Sequence, residues 1–425
     1  MNNGHPYDAI VIGGGPAGST AASVLAAKGR RVVLLEREKF PRYHIGESLL
    51  PYGYFILDRI GVAAKMKASH FTKKYSVQFV SSKGKLSVPF YFFEQLKHEA
   101  SMTWQVLRSE FDQLMLDNAR EKGAEVIEQM NVRELIQANG AVVGVKAIDR
   151  DGAPREFRAP VTIDATGRDA FSVTRFGWKQ RDPYLNKIAV WTYYKGALRD
   201  PGIDEGATTV AYVPDKGWFW YIPLAGDVVS VGIVAEKDYL YKDTRDLEQI
   251  FQREVKNNAW IESHLAAGEQ FGPYRVTGEY SYRSLHCATD GLVLAGDAFA
   301  FLDPVFSSGV FIALRSGELA AETVDAALTE GNFSAARFQE YGERVCYGVE
   351  SMRKLVYAFY NTAFSFREFL VEYPNLKGDM TDCLMGNLFL DFKPLFDAVA
   401  KFIEVPAPLA HGKPIAAGEV LDTCR

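Results

Sequence analysis

The chain has 425 residues, 48% of them hydrophobic and 24% charged, with a formal net charge of −5. This length exceeds one small core, and the balance is that of a globular protein with mixed architecture. The acidity argues against a nucleic-acid surface, and the lack of a leader-like start or a long apolar run predicts a cytoplasmic protein without membrane spans. Cys287, Cys346, Cys383 and Cys424 stand without CxxC spacing, so no metal site and no disulfide framework are expected.

In chain order, YDAIVIG (7–13) reads as a short buried strand, residues 14–29 as a glycine-led helix and RRVVLLE (30–36) as a second strand, a βαβ unit. From Trp104 to about Glu121, Phe111, Leu114 and Met115 recur at helical spacing. Residues 123–149 alternate in the manner of antiparallel strands, with Asn139-Gly140 as a hairpin signal. VTIDATG (161–167) is another buried strand ending in a turn. Residues 176–285 are rich in aromatic and β-branched types broken by regular turn signals, which predicts a second, antiparallel sheet. DGLVLAGDAF (290–299) returns to a strand and turn, and residues 309–328 form a helix. Past Phe333 the chain is mostly helical and aromatic. The expected class is α/β: a nucleotide-binding domain from 1–75, 100–175 and 285–333, a β-sheet substrate domain from 76–99 and 176–284, and a C-terminal helical region from 334–425.

Gly13, Gly15 and Gly18 satisfy G-x-G-x-x-G immediately after a strand and at the opening of a helix, with Glu36 ending the next strand. The first glycine permits the tight turn, the second lets backbone amides approach a pyrophosphate, and the third lets helix and strand pack closely. The helix N-terminus favours an anion, and an acidic residue at the second strand's end accepts from an unphosphorylated ribose, as in FAD or NAD.

Which dinucleotide binds is indicated by resemblance. VIGGGPAGSTAASVLAAKG, VVLLERE, LRSEFDQLML, TIDATG and GLVLAGDAFAFLDP resemble, in order, the flavin segments of the FAD-dependent monooxygenases shaped like p-hydroxybenzoate hydroxylase. The resemblance spans roughly residues 5–335. It implies a Rossmann-like FAD domain of that type, with Gly13, Gly15, Ala17, Gly18, Glu36, Arg37, Ser48 and Pro304 among the cofactor-binding positions. Arg108 would lie near the phosphates or adenosine, and Asp297 would hold the ribitol or pyrophosphate. A second glycine fingerprint for a nicotinamide is absent, so NAD(P)H visits transiently or reduced FAD arrives from a separate flavin reductase.

Within that superfamily, Trp218-Phe219-Trp220-Tyr221-Ile222-Pro223 is similar to the W-x-W-x-I-P signature of the flavin-dependent halogenases. The resemblance implies that the paired indoles wall substrate away from the activated flavin, leaving halide to react first. RYHIGESLLP followed by FTKKY resembles the stretch that carries those enzymes' essential lysine, here Lys74 with Lys73 as the alternative. That amine would hold or accept the halogen of a hypohalous acid and pass it to substrate, a task helped by burial that lowers its pKa. Asp303–Val310 resembles the segment whose helix-terminal amides, here at Ser308 and Gly309, hold chloride or bromide beside the flavin. Glu47 and Ser48 are candidates to touch the flavin or its oxygen.

Halogenases of free tryptophan carry a glutamate where this chain has Phe306. The departure fits the branch that modifies a small pyrrole or phenol ring, in some members tethered to an acyl or peptidyl carrier protein. Tyr357, Phe359, Tyr360, Phe364 and Phe366 would line or close an apolar pocket for such a ring. The alternative is an FAD-dependent hydroxylase or reductase of the same fold without halide chemistry.

Overall fold

A computed structural model describes residues 6–214, 217–278 and 281–419. Strand Ala9–Ile12, buried at every position, lies within a six-stranded sheet ordered 288–289, 292–294, 161–164, 9–12, 32–35 and 125–127. All neighbours but the antiparallel edge pair 288–289/292–294 run parallel. Parallel strands covered on both faces need unbroken apolar runs, which AIVI and VVLL supply. Helix Pro16–Ala27 starts with proline at a position whose N–H has no helical partner. It packs on helices Arg108–Glu121 and Ser308–Glu330. Gly18 permits this: a Cβ there would sit 1.9 Å from the Gly13 carbonyl oxygen.

The helix expected from Trp104 begins only at Arg108. Trp104 instead belongs to strand Thr103–Gln105, paired antiparallel with Thr72–Lys74. Alternation along that partner strand turns the two lysines opposite ways, leaving Lys73 exposed and Lys74 buried. Residues 131–158 form a three-stranded sheet whose first turn is Asn139-Gly140, with φ of 51° and 83°. Both being positive is what a two-residue I′ hairpin requires.

The second large sheet has seven strands, ordered 269–277, 187–195, 228–236, 217–224, 208–213, 76–80 and 90–91. Its pairs are antiparallel except 208–213 with 76–80. Period-two alternation assigns the faces. Trp218, Trp220 and Ile222 join the main core, whereas Phe219 and Tyr221 join a second core with Phe251, Trp260 and Ile261 from helices Leu247–Val255 and Ala259–Leu265. The C-terminal helices Gln339–Tyr360, Phe366–Glu372, Lys377–Met385 and Lys393–Val399 are not a detached body, because Val356, Phe359, Phe369 and Leu395 share the main core. Among the described residues no helix is long and apolar enough to cross a membrane.

Candidate active site

Between the two large sheets lies a cavity of about 780 Å³. The first sheet's side contributes Gly13, Gly15, Ala17, Glu36, Arg37 and Asp297, and the second sheet contributes Thr208, Val210, Trp218, Trp220 and Ile222. At the glycine turn, Gly13 has φ of 98°, and a Cβ there would come within 2.5 Å of the Ala165 oxygen. Beside Gly15 only the Arg42 guanidinium approaches, 3.8 Å from where a Cβ would stand. The backbone is thus bare where a helix N-terminus and a cation meet, a cradle suited to phosphate. Glu36 Oε2 accepts from Gly14 N at 2.7 Å and Oε1 from Glu38 N at 2.8 Å, so this carboxylate shapes the turn as well as facing the cavity. Arg37 is half exposed and ion-paired with Asp169 and Glu38.

Arg108 is buried, and most of its donors are committed to the protein. Nε and Nη2 bind Asp112 at 2.8 and 3.0 Å, and Nη1 donates to the Ile45 and Gly46 carbonyls at 2.7 and 3.1 Å. Arg42 Nη1 shares Asp112 at 2.8 Å. The two guanidinium groups hold the Asp112 carboxyl below its usual range although burial opposes them. Asp297 faces the cavity, its carboxyl pushed up to about 6 by burial against the pull of Arg168 and Arg108. The phosphate cradle, the cavity-lining carboxylate of Glu36 and the room between cradle and indoles together fit FAD.

The opposite wall answers why two tryptophans sit two apart. Trp218 and Trp220 share one face with ring centroids 6.3 Å apart, and Trp191 from the next strand but one lies 6.2 Å from Trp220. Each signature indole is pinned by its N–H: Trp220 Nε1 donates to Ser230 Oγ at 3.1 Å, and Trp218 Nε1 to Tyr360 Oη at 2.8 Å. Tyr360 in turn donates to Asp303 Oδ2 at 2.8 Å, and Asp303 Oδ1 accepts from Val305 N at 3.1 Å. Burial lifts the Asp303 carboxyl to about 6. Gly232, paired across from Trp220, is the remaining requirement, since a Cβ there would fall 2.3 Å from the indole.

Lys74 is buried and does not itself line the cavity. Its Nζ donates to Ser48 Oγ at 2.8 Å and to the Leu49 carbonyl at 3.2 Å, with the Phe92 ring 5.5 Å away. Ser48 lines the cavity and its hydroxyl takes the Lys74 bond, so this residue joins cavity and amine. Ser48 Oγ also contacts Thr208 Oγ1 at 2.8 Å, which Gln105 Nε2 approaches at 2.9 Å. Burial without a compensating carboxylate lowers the amine to about 7.

The segment after Asp303 turns into helix Ser308–Glu330 through Ser307, whose φ of 55° makes it a left-handed N-cap without a side-chain cap bond. Pro304, Val305, Ser307 and Gly309 line the cavity. Ser308 is buried behind them, its Oγ without a hydrogen-bond partner among the described residues. Glu47 lines the cavity with its carboxyl raised to about 7, burial outweighing the contrary effects of Ser230, Tyr193 and Arg108. His44 also lines it, kept neutral by burial down to about 4. Phe306 is enclosed by Phe359 and Phe366 at 5.8 and 6.3 Å, and neither it nor the tail aromatics expected to line a pocket form part of this cavity's lining, although Tyr360 holds Trp218 from behind.

Arg42, Asp112, Thr208, Gln105 and Gly232 were not singled out by sequence, and Asp303 was named only as the start of a segment, not for its bonds to Tyr360 and Val305. A glycine directly opposite a tryptophan on neighbouring strands is a signal for close ring-to-backbone contact, but it is readable only once the register is known. Among the described residues no group of three or more His, Cys, Asp or Glu side chains is arranged to hold a metal ion.

A Rossmann-like sheet, a cavity fit for FAD and a double-indole wall define a flavin-dependent oxidoreductase. The sequence profile of the tryptophan halogenase family matches residues 8–90 and 80–366, and the chain belongs to this family of flavin-dependent halogenases. It is 30% identical over 410 residues to a 1H-pyrrole-2-carbonyl-(peptidyl-carrier protein) chlorinase of Pseudomonas fluorescens, covering 91% of this chain and 90% of that one. It is 32% identical over 392 residues to the corresponding brominase of Pseudoalteromonas luteoviolacea, covering 92% and 94%. The solved flavin-dependent brominase Bmp2 superposes with a TM-score of 0.84 at 30% identity, covering 93% of this chain and 97% of that one. The hydroxylase or reductase alternative gives way to a halogenase.

Proposed function

We propose that this enzyme transfers chlorine or bromine to a small electron-rich ring of the pyrrole or phenol class, presented on an acyl or peptidyl carrier protein. Reduced FAD reaches it from a separate flavin reductase in the cytoplasm. When bound, reduced FAD supplies with O₂ the two-electron oxidation of halide.

The protein's own residues do the rest. Gly13, Gly15, Ala17 and Arg42 receive the phosphates, while Glu36, Arg37, Arg108, Asp297 and Pro304 shape the surrounding cavity. The amides at Ser308 and Gly309 attract the halide at the start of a long helix. Trp218 and Trp220 hold the organic ring away from the cavity, so that only a small oxidised halogen species crosses, past Glu47 and Ser48. A neutral lysine has two N–H bonds and one lone pair. Both N–H bonds of Lys74 are engaged by Ser48 and Leu49. The lone pair is what remains to hold an electrophilic halogen and direct it to carbon.

The single observation that carries this reading is a buried amine without a carboxylate partner, joined to the flavin cavity by one hydroxyl. The carrier-bound substrate is supported by the two relatives that match over nine-tenths of their length, and Phe306 supports a substrate other than free tryptophan. Purified protein with FAD, a reductase, NADH, O₂ and halide is expected to halogenate a pyrrolyl or phenolic thioester on a carrier. Product that is hydroxylated, or whose formation ignores halide, would refute the proposal.

A further inference from the structure

We propose that Tyr43, Tyr193 and Glu47 form the path by which the site takes up the proton that each halogenation consumes, an inference resting on the function proposed above. The reaction balances as ArH + X⁻ + O₂ + FADH₂ + H⁺ → ArX + FAD + 2 H₂O. One proton must therefore enter for every halide, and it must enter a site walled by indoles.

The hydrogen bonds fix a direction. Tyr193 O–H donates to Glu47 Oε1 at 2.8 Å. A phenol has one proton, so in the 3.0 Å contact between the hydroxyls of Tyr43 and Tyr193 the donor is Tyr43. The Tyr43 oxygen accepts from Trp191 Nε1 at 2.8 Å, which leaves its proton free for that inward bond. Tyr43 is 42% exposed, whereas Glu47 is 2% exposed. The chain thus runs from Tyr43, an exposed residue of the cavity lining, to Glu47 buried in the same wall, every link pointing toward the carboxyl. At its inner end Glu47 Oε2 is buried without a hydrogen-bond partner among the described residues. Ser230, which accepts from Trp220, stands beside the same carboxyl.

The groups facing this path leave it able to relay. Burial lifts Glu47 to about 7, against Ser230, Tyr193 and Arg108. Both tyrosines are raised by burial and stay neutral, with the Arg275 guanidinium 3.7 Å over the Tyr43 ring. His44, which lines the same cavity, stays uncharged. Protonated Glu47 carries its proton on Oε2, because Oε1 already accepts. In the step, that O–H bond breaks as the proton passes to an oxygen in the cavity that is becoming water. The carboxylate takes the Tyr193 proton on Oε1, Tyr193 takes that of Tyr43, and Tyr43 takes one from solvent. No electron moves, and rotation of the carboxyl and of both tyrosyl O–H bonds restores the starting arrangement.

Two readouts test the path. In protein without FAD, infrared difference spectra across pH should show a carboxylic C=O band titrating near neutrality, lost in Glu47→Gln. In Tyr193→Phe, which removes a donor to the ionised form, the band's midpoint should rise; in Tyr43→Phe it should stay. In the reductase-coupled assay under saturating FAD, Tyr193→Phe and Tyr43→Phe should each slow halogenation at least about tenfold, general acid catalysis contributing ~10²–10⁴-fold where it operates. No titrating band, or both tyrosine variants turning over within about twofold of the parent, would overturn the relay. A parent that binds FAD and shows the band yet never halogenates would instead overturn the function on which it rests.

Discussion

Replacing Lys74 by methionine keeps most of the volume and removes the titrating group. In the unfolded chain this amine titrates at 10.5, and in the fold at about 7. The folded-state value is depressed, so between these limits the unfolded state binds more protons and stability rises with pH, levelling above the unfolded value. Integrating the linkage with those two values, the parent should gain ~3 kcal/mol between pH 7 and pH 9.5 relative to Lys74→Met, an order-of-magnitude figure. At pH 7 the penalty for holding the amine is on the order of 4 kcal/mol, from which roughly 1–3 kcal/mol is recovered by its bonds to Ser48 and Leu49. The net effect at one pH therefore mixes opposing terms, but its change with pH comes from the titration alone. Urea unfolding of both proteins at the two pH values, monitored by tryptophan fluorescence, measures that change. A stability difference that stays constant from pH 7 to pH 9.5 would show that Lys74 titrates normally and refute the argument for a neutral amine.

Two further substitutions probe the indole wall. Gly232→Ala puts a methyl group into the Trp220 ring, and overpacking of this kind costs about 1–3 kcal/mol; a melting temperature and near-ultraviolet spectrum unchanged from the parent would contradict the contact. Tyr360→Phe leaves Trp218 Nε1 without its acceptor and Asp303 without its donor, for a loss of roughly 1–3 kcal/mol. Because that donor favoured the ionised Asp303, its raised carboxyl should rise further, so the variant's deficit should shrink as pH falls through about 6. A deficit that widens on acidification would count against this network.

Much of the site was legible because its signals are local. Gly13, Gly15, Gly18 and Glu36 lie within one βαβ unit, and the fingerprint specifies backbone geometry directly. The shared face of Trp218 and Trp220 followed from strand periodicity alone. The choice between Lys73 and Lys74 was not local. It depends on strand Thr72–Lys74 pairing with Thr103–Gln105, a strand whose residues looked like the start of a helix. Tryptophan and glutamine at Trp104 and Gln105 are tolerated in either state, and the long-range pairing decided. The Asp303–Tyr360–Trp218 bonds join positions 57 and 142 residues apart, and no periodicity reports such a join. The same holds for Glu47 and Tyr193, 146 residues apart, the first in the segment after strand Val32–Leu35 and the second on strand Lys187–Lys195.

The central claim is that halide is oxidised on the flavin side of the indoles and reaches the ring only through Lys74. Its most direct measurement is the product balance of Lys74→Ala, supplied with reduced FAD, O₂, halide, an aromatic acceptor and a small-molecule trap for free hypohalous acid. The trap should be halogenated and the acceptor left intact, with FAD bound as in the parent. A halogenated acceptor formed at the parent's rate would contradict the account.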